Sequence, residues 1–334
     1  MDVERTASAT PRQLSIEARL RAIDSFQQRH PWLSFAVAVG KKYADDLGGQ
    51  LAALIAYWGF FSLFPLLLAF VTILGFVLEG NPGAQESLVN SALSQYPIIG
   101  PELAQNIHSI TGNGVSLAIG VVGSVLAGLG VTGAAQNAFS QVWHIPRKDR
   151  PSFVIWRLRG LGQLVLLGTL IVVSTAVAGY VTANTPEGLL TTIAAIAIAL
   201  AANLLLFGLS FRLLTSPEVP TRDLWPGVVL GAILWQVLQH VAGYYVTHVV
   251  RHAHATSALF AFVLGLLVWF YIGSRVAVLA AELNVVKAWR LWPRSVFTGQ
   301  LLEADRRALR SAAKVEERVE GEQIDVSFER PADE

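Results

Sequence analysis

The chain of 334 residues contains no cysteine and few charged residues. The absence of cysteine excludes disulfides, thiolate metal ligands and a cysteine nucleophile, and it carries no information about the redox compartment. Asp, Glu, Lys and Arg make up 15% of the residues, whereas soluble domains contain about 25%. Hydrophobic residues make up 53% and the mean hydropathy is +0.49. This composition argues against a soluble globular protein.

Six long apolar segments are separated by polar gaps. Each segment exceeds the ~20 residues that a helix needs to cross a hydrocarbon layer of ~30 Å. The predicted spans are roughly residues 47–78, 115–142, 160–182, 188–211, 224–249 and 258–286. The sequence therefore predicts an all-α, polytopic membrane protein with six transmembrane helices.

Lysine and arginine are distributed unevenly over the gaps. Of the 25 basic residues, 23 lie in the N-terminal arm, in the gaps after the second and fourth spans, and in the C-terminal tail. Residues 79–114 and 183–187 contain none, and the last gap contains only Arg251. The positive-inside rule therefore places both termini in the cytoplasm. The net charge of +1 hides this asymmetry and gives no argument for nucleic-acid binding.

The regions outside the spans differ in composition. Residues 1–30 are rich in arginine and poor in large apolar residues, which predicts a disordered cytoplasmic arm. Residues 31–46 carry apolar side chains at helical spacing beside charges, as expected of an interfacial helix that leads into a transmembrane domain of residues 47–290. Residues 79–114 are expected to form amphipathic helices in the first extracytoplasmic loop. Residues 291–334 form a charged cytoplasmic tail, helical at first and then disordered.

Small and polar side chains recur every four residues along the second span. The stripe includes Gly120, Ser124, Gly128 and Thr132, and it lets another backbone approach closely. Tight helix packing is the favoured interpretation, and a face lined by water or substrate is the alternative. In the first span, Pro65 is a candidate helix kink.

Two ionisable residues lie within the sixth span. Arg275 is about 17 residues into the segment, near mid-membrane, where a charge costs roughly 2.5 to 3.5 kcal/mol. Glu282 follows on nearly the same helix face, ~10 Å along the axis. We expect the two to flank one polar cavity; the alternatives are a structural ion pair between spans and an Arg275 side chain that reaches toward the cytoplasm. Further candidates for lining the cavity are Asn284, Gln136, Asn137, Asn203 and Tyr57.

Histidines at the outer end of the fifth span raise the question of a metal site. His248 and His252 have the i, i+4 spacing that places two imidazoles on one helix face. A further ligand, such as His108 or Glu102, would be needed, and solvated histidines are the favoured interpretation.

Signals for catalysis are missing from the sequence. The chain has no GxSxG, no P-loop and no GxGxxG in a βαβ context. We therefore expect no catalytic residue, no metal, no cofactor and no enzymatic activity. A membrane-embedded hydrolase is the less favoured alternative.

Three segments carry recognisable motifs. Residues 52–57 read AALIAY and residues 62–68 read SLFPLLL; residues 136–139 read QNAF and are followed by Val142, Trp143 and a basic loop. Residues 267–271 read LVWFY, and residues 280–284 read AAELN. Over about residues 35–290 these motifs resemble those of the YihY/virulence factor BrkB family. The sequence departs from the family at Ala280, where glycine is usual, and Arg275 has no counterpart that we can match.

The resemblance implies a six-helix, multi-pass protein of the bacterial cytoplasmic (inner) membrane that is linked to envelope integrity or serum resistance. Relatives have carried a ribonuclease BN label. The residues give this label no support, because no metal-binding His/Asp cluster or nucleic-acid module is predicted to face the cytoplasm. We interpret the label as a misnomer.

The leading hypothesis is a membrane protein that transports or holds a lipid or envelope precursor. The predicted site is the cavity near Arg275, Glu282 and the polar face of the second span, where the guanidinium of Arg275 would bind an anionic headgroup. The expected partners are membrane lipids, including an anionic lipid or envelope precursor, without nucleic acid, and a homo-oligomer is left open. The alternative is a structural or assembly protein without a transport path.

Overall fold

The computed structural model describes residues 22, 24–78, 114–184, 188–248, 255–296 and 301–328. Within these residues the chain is helical, with short connections and no strand. The helices are α1 (Pro31–Asp45), α2 (Gly48–Leu78), α3 (Gly114–Val142), α4 (Phe153–Asn184), α5 (Leu189–Leu214), α6 (Thr221–His248), α7 (Ala255–Trp289) and α8 (Glu303–Lys314). A short 3₁₀ helix, Arg147–Asp149, lies between α3 and α4.

Helices α2 to α7 are long and apolar enough to cross a membrane, which confirms the prediction of a six-span, all-α protein. The boundaries extend beyond the apolar segments. Helix α4 begins at Phe153 rather than near residue 160, because the helix continues through Arg157 and Arg159. Helix α7 has 35 residues and a length of about 52 Å, so part of it extends beyond a hydrocarbon layer of ~30 Å.

Helices α2 and α3 pack along each other through small residues. A Cβ atom placed on Gly120 would lie 2.7 Å from the backbone nitrogen of Ala69, so only glycine allows this approach. A Cβ atom on Gly123 would lie 2.9 Å from the Cβ atom of Pro65, which sits inside α2 without ending the helix. The backbones of α2 and α3 therefore approach closely at Gly120 and Gly123, which have no side chain.

The rest of the small-residue stripe on α3 is used in similar ways. Ser124 donates a hydrogen bond of 2.6 Å to the carbonyl of Gly120, one turn earlier. Gly128 is buried, and a Cβ atom there would lie 2.8 Å from Leu164 of α4. Thr132 is buried and donates to the carbonyl of Leu129.

One end of the bundle carries α1, the connection at residues 143–152 and the C-terminal tail. We name it the basic end, and the charge pattern predicts that it faces the cytoplasm. The backbone N–H of Arg147 donates to Val315, and the ammonium of Lys148 lies 2.7 Å from Glu317. The described tail up to residue 328 is thus fastened to the connection between α3 and α4.

Part of the predicted N-terminal arm is structured. Residues 24–29 are helical, and the carboxylate of Asp24 accepts a hydrogen bond from the N–H of Val296 at 3.0 Å. The buried side chain of Gln27 donates to the carbonyl of Arg294 at 2.8 Å. These contacts with the segment after α7 order a polar sequence that has few apolar residues of its own. The amphipathic helices expected in the first extracytoplasmic loop lie outside the described residues.

Candidate functional site

Glu282 of α7 is fully buried at the basic end, at 0% exposure, where it faces α1. The ammonium of Lys42 lies 2.9 Å from Oε2 of Glu282, away from the direction of a hydrogen bond, and Lys42 is 1% exposed. Lys42 donates hydrogen bonds to Oδ2 of Asp46 and, at 2.8 Å, to the carbonyl of Val142 at the end of α3. A single ammonium therefore connects α1, α3 and α7.

His144 extends this cluster toward the tail. Its backbone has φ of 47°, in the left-handed region, where the chain turns away after the last residue of α3. The Nε2 atom lies 3.0 Å from Oδ1 of Asp46, and Nδ1 lies 2.8 Å from Oγ of Ser311 on α8. We name Lys42, Asp46, His144 and Glu282 the buried cluster.

The protonation of the two groups outside the spans follows from these contacts. Burial is the largest influence on His144 and holds the pKa of its imidazole below the ordinary value of 6.5, although the hydrogen bond to Asp46 opposes it. Burial by itself raises the pKa of Asp46. The hydrogen bond from His144 and the charge of Lys42 outweigh burial, so the pKa of Asp46 lies below 3.8.

A second charged group lies next to the buried cluster. The guanidinium of Arg294 is 2.9 Å from Asp305 of α8 and 2.8 Å from Asp45 of α1. The ammonium of Lys41 is also 2.9 Å from Asp305. Burial raises the pKa of Asp305, but hydrogen bonds from Lys41, the backbone N–H of Ser295 and Arg294 hold it below its ordinary value. These contacts fasten α8 to α1.

Arg275 lies in a different environment from Glu282. Its side chain is exposed on the outside of the bundle, where its Nε donates to the hydroxyl of Tyr43 at 3.2 Å. The guanidinium carbon is 5.7 Å from the ring centre of Tyr43 and 5.6 Å from that of Tyr271, which are cation–π distances. The structure does not bring Arg275 and Glu282 into one cavity. The seven-residue spacing leaves one side chain against α1 in the interior and the other between tyrosines at the surface.

The polar face of α3 borders a pocket of about 300 Å³ between α2, α3 and α4, near the basic end. The residues that characterise this lateral pocket are Trp58, Gln136, Asn137, Phe153, Trp156 and Arg157. Gln136 donates to the carbonyl of Trp156 at 3.2 Å, and Asn137 accepts a hydrogen bond of 2.9 Å from Arg150. The lateral pocket therefore combines aromatic rings, amide groups and a guanidinium.

Two groups that border the lateral pocket lack a polar partner among the described residues. The indole nitrogen of Trp156 is buried without a hydrogen-bond partner. The exposed guanidinium of Arg157 stacks 5.1 Å from the ring centre of Phe153, and no carboxylate of the described residues lies within ion-pair distance of it. An anion in the lateral pocket can reach the exposed guanidinium of Arg157.

A second cavity of about 290 Å³ lies on the other face of α3, in the centre of the bundle. Its lining is mostly aromatic and aliphatic, with Phe207, Trp235 and Phe270 among the residues. Gln163 donates to Ser210 at 2.6 Å, and its own carbonyl oxygen has no partner within the described part of the chain. Unlike the lateral pocket, this cavity is lined by no charged side chain among the described residues.

The remaining predicted lining residues contact neighbouring helices or face outward. Asn284 is buried and accepts the N–H of Gly227 on α6, and Asn203 donates to Gln236 at 2.6 Å. Tyr57 is exposed and packs on aromatic neighbours of α2. In the described structure, none of these three side chains forms a hydrogen bond or an ion pair with Glu282.

The predicted histidine pair falls largely outside the described residues. His248 is the last residue of α6, with a side chain that is not described, and His252, His108 and Glu102 lie in undescribed segments. Among the described residues no group of three or more His, Cys, Asp or Glu side chains is arranged to hold a metal ion.

Sequence reasoning did not identify Lys42, Asp46 and His144 as members of a site. A signal was present in α1, where residues 35, 39, 42 and 46 follow the i, i+4, i+7, i+11 pattern of one helix face. Two apolar residues on that face are followed by a lysine and an aspartate, which must therefore point inward. No comparable signal marked His144, because its position depends on a turn after α3.

Comparisons with known proteins agree with the fold. The family model for virulence factor BrkB matches residues 39–297. The chain is 28% identical to inner membrane protein YhjD of Escherichia coli over 289 residues, which cover 80% of this chain and 85% of that protein. It is 24% identical to a UPF0761 membrane protein of Pseudomonas aeruginosa over 277 residues, covering 77% of this chain and 64% of that protein.

No solved structure matches the chain. The family match covers most of the chain and includes α2 to α7, which are the six candidate spans. The chain therefore belongs to the virulence factor BrkB family and is a multi-pass protein of the bacterial inner membrane.

Proposed function

We propose that the protein holds, and in doing so helps to move, an anionic lipid or envelope precursor whose headgroup binds in the lateral pocket. The observation that carries this proposal is the exposed guanidinium of Arg157 in the lateral pocket, which has no carboxylate within ion-pair distance among the described residues. A guanidinium matches the geometry of a phosphate.

The surroundings of the lateral pocket suit a lipid headgroup. Trp58 and Trp156 supply amphipathic rings, which favour the level of the headgroups in a membrane. The polar face of α3 supplies Gln136 and Asn137, whose amides can bind hydroxyl or phosphate oxygens. A volume of about 300 Å³ accommodates a headgroup but not a whole phospholipid, so the acyl chains would remain in the bilayer.

Arg275 is proposed as a second contact for lipid rather than as part of an internal cavity. Two tyrosine rings and a hydroxyl hold its guanidinium at the outside of the bundle. Because the side chain is exposed, Arg275→Leu should leave the fold intact. It should lower the affinity for anionic lipid less than a change at Arg157, because no pocket surrounds it in the described structure.

Lipid binding is best tested with two arginines of the same helix. Arg157→Gln and Arg159→Gln remove the same charge from α4 at neighbouring positions, but only Arg157 lines the lateral pocket. Native mass spectrometry of protein reconstituted with phosphatidylglycerol and phosphatidylcholine measures the retained lipid. We expect Arg157→Gln to lose most of the preference for phosphatidylglycerol and Arg159→Gln to keep it. Equal retention by both variants would contradict the proposal.

A structural or assembly role is the second candidate, because Asn203, Asn284 and Gln163 use their amides in contacts between helices. Site-directed labelling separates the two functions, since the chain has no native cysteine. A membrane-impermeant thiol reagent should label Asn137→Cys in the lateral pocket and leave Asn203→Cys unmodified. Protection of both positions in folded protein would favour the structural role.

Support of envelope integrity follows from the proposed lipid site. A strain without the protein should become more sensitive to detergent, and expression of the wild-type chain or Arg159→Gln should restore resistance. Arg157→Gln should not. This role involves no covalent chemistry, and we propose no enzymatic activity and no binding of nucleic acid.

A further inference from the structure

We propose that the buried cluster is a proton-binding site, in which Glu282 carries a proton at neutral pH. The site is separate from the lateral pocket, since the two have no residue in common. Its ligand is a proton taken up at the basic end. The proposal does not depend on which lipid the protein binds.

The balance of charge in the buried cluster is the first argument. The cluster contains two carboxylates, Asp46 and Glu282, and the single ammonium of Lys42. Helices α2 and α3 contain no Asp, Glu, Lys, Arg or His over their whole lengths, so they add no compensating charge. With both carboxylates ionised, the cluster would hold a net negative charge at 0 to 7% exposure, which is costly.

Other charged and titratable groups near the cluster are already engaged. His144 bonds to Asp46 and Ser311, and burial disfavours its charged form. Arg294 pairs with Asp45 and Asp305. On the far side of α7, Tyr43 accepts the hydrogen bond from Arg275.

Helix α6 also packs against α7, but the charged and titratable side chains described on α6 make their contacts away from the buried cluster. Its first turn carries Arg222 and Asp223, which are 3.5 Å apart and form a pair of their own, and His240 bonds to the carbonyl of Gln236 within the helix. None of these groups is positioned to supply the missing positive charge.

The contacts of the two carboxylates decide which one holds the proton. Asp46 accepts hydrogen bonds from Lys42 and His144 and is therefore stabilised as a carboxylate. Glu282 is fully buried and lies 2.9 Å from the ammonium of Lys42, but neither of its oxygens accepts a hydrogen bond from the described residues. A proton on Glu282 removes the excess charge and leaves Lys42 to balance Asp46.

The position of this proton links the bundle to the tail. Glu282 belongs to α7, Lys42 and Asp46 to α1 and its end, and His144 contacts Ser311 of α8. Loss of the proton would let the ammonium of Lys42, already 2.9 Å from Glu282, turn to donate a hydrogen bond to that carboxylate and would weaken its hydrogen bond to Asp46. The protonation of Glu282 therefore affects the attachment of α8 at the basic end.

Infrared difference spectroscopy of the full protein in lipid bilayers tests the proposal directly, because the C=O stretch of a protonated carboxyl is separate from that of a carboxylate. We expect wild-type protein to show a protonated carboxyl at neutral pH. Glu282→Gln should abolish the signal. Glu303→Gln, which changes an exposed carboxyl on α8, should leave it unchanged.

A second variant keeps the test informative if Glu282→Gln fails to fold. Asp46→Asn removes the other carboxylate and leaves Lys42 to balance Glu282 alone. The proton should then be released, and the acid signal at neutral pH should disappear. The proposal is wrong if wild-type protein shows no protonated carboxyl at neutral pH, if the signal persists in folded Glu282→Gln, or if it persists in Asp46→Asn.

Discussion

The ammonium of Lys42 lies 2.9 Å from the carboxyl group of Glu282, and neither side chain is more than 1% exposed. Removing the ammonium of Lys42 should destabilise the folded protein far more than removing the acidic group of Glu282. Lys42→Met leaves Asp46 without its cation and should destabilise the folded protein by about 3 to 5 kcal/mol, as expected when one partner of a buried pair is removed. Thermal unfolding in detergent measures the difference.

Glu282→Gln is the matched variant for that measurement. A glutamine has nearly the shape of a protonated glutamic acid, so the change should cost less than about 1 kcal/mol at neutral pH if Glu282 is neutral. Combining Lys42→Met with Asp46→Asn should recover much of the stability lost in Lys42→Met, because both charges are then absent. A glutamine variant as unstable as Lys42→Met would show that Glu282 is ionised.

Asp305 attaches the C-terminal helix to the bundle and provides a second prediction. Its carboxylate forms ion pairs with Lys41 and Arg294, and only 1% of its side chain is exposed. Asp305→Ala should destabilise the attachment of α8 by about 3 kcal/mol, because two cations lose their carboxylate. Hydrogen exchange should become faster in residues 303–314 and stay unchanged in α3. The exposed Glu303→Ala serves as the control and should have little effect.

The stability of the basic end should fall with acid because of His144. Its folded pKa is lowered, so below about 6.5 the unfolded chain binds a proton that the folded protein excludes. The stabilisation is complete above this value and is lost as the pH falls below it. Melting temperatures measured in the Glu282→Gln background, in which residue 282 cannot bind a proton, should decrease toward acid between about pH 5 and pH 7.5. Adding His144→Gln to that background removes the titrating imidazole and should make the melting temperature nearly independent of pH in this range.

Hydropathy and charge were sufficient to predict the six spans, because each apolar segment exceeds the thickness of the hydrocarbon and the basic residues cluster in alternate gaps. The same rules failed to identify the buried cluster. They treat a lysine at the end of a span as a marker of topology, whereas Lys42 points into the protein, where it meets Glu282. Pairing across distant parts of the chain is not encoded in local periodicity.

Arg275 shows a related limit of sequence reasoning. Spacing along α7 correctly describes the geometry of one helix, but the contacts of each face depend on the neighbours that pack there. Tyr43 of α1 holds Arg275 at the surface, and Lys42, the adjacent residue, reaches Glu282 inside. Only the placement of α1 against α7 determines that these two residues lie in different environments.

The approach of α6 to α7 gives the last prediction. A Cβ atom on Gly227 would lie 2.1 Å from the carbonyl oxygen of Ala280 and 2.5 Å from the side-chain nitrogen of Asn284. Asn284 also accepts the N–H of Gly227, so the two helices cannot separate without losing this bond in a buried site. Gly227→Ala should therefore destabilise the protein by about 1 to 3 kcal/mol, since the obstructing atom belongs to the backbone.

Gly168 of α4 is the control for this substitution, because a Cβ atom there meets no atom of the described residues within 4 Å. Alanine favours a helix over glycine by up to about 1 kcal/mol, so Gly168→Ala should leave the stability unchanged or raise it slightly. Thermal unfolding of the two variants in the same detergent compares an identical chemical change at a crowded and an open position. If Gly227→Ala melts at or above the temperature of Gly168→Ala, α6 and α7 do not pack as closely as Asn284 and Gly227 indicate.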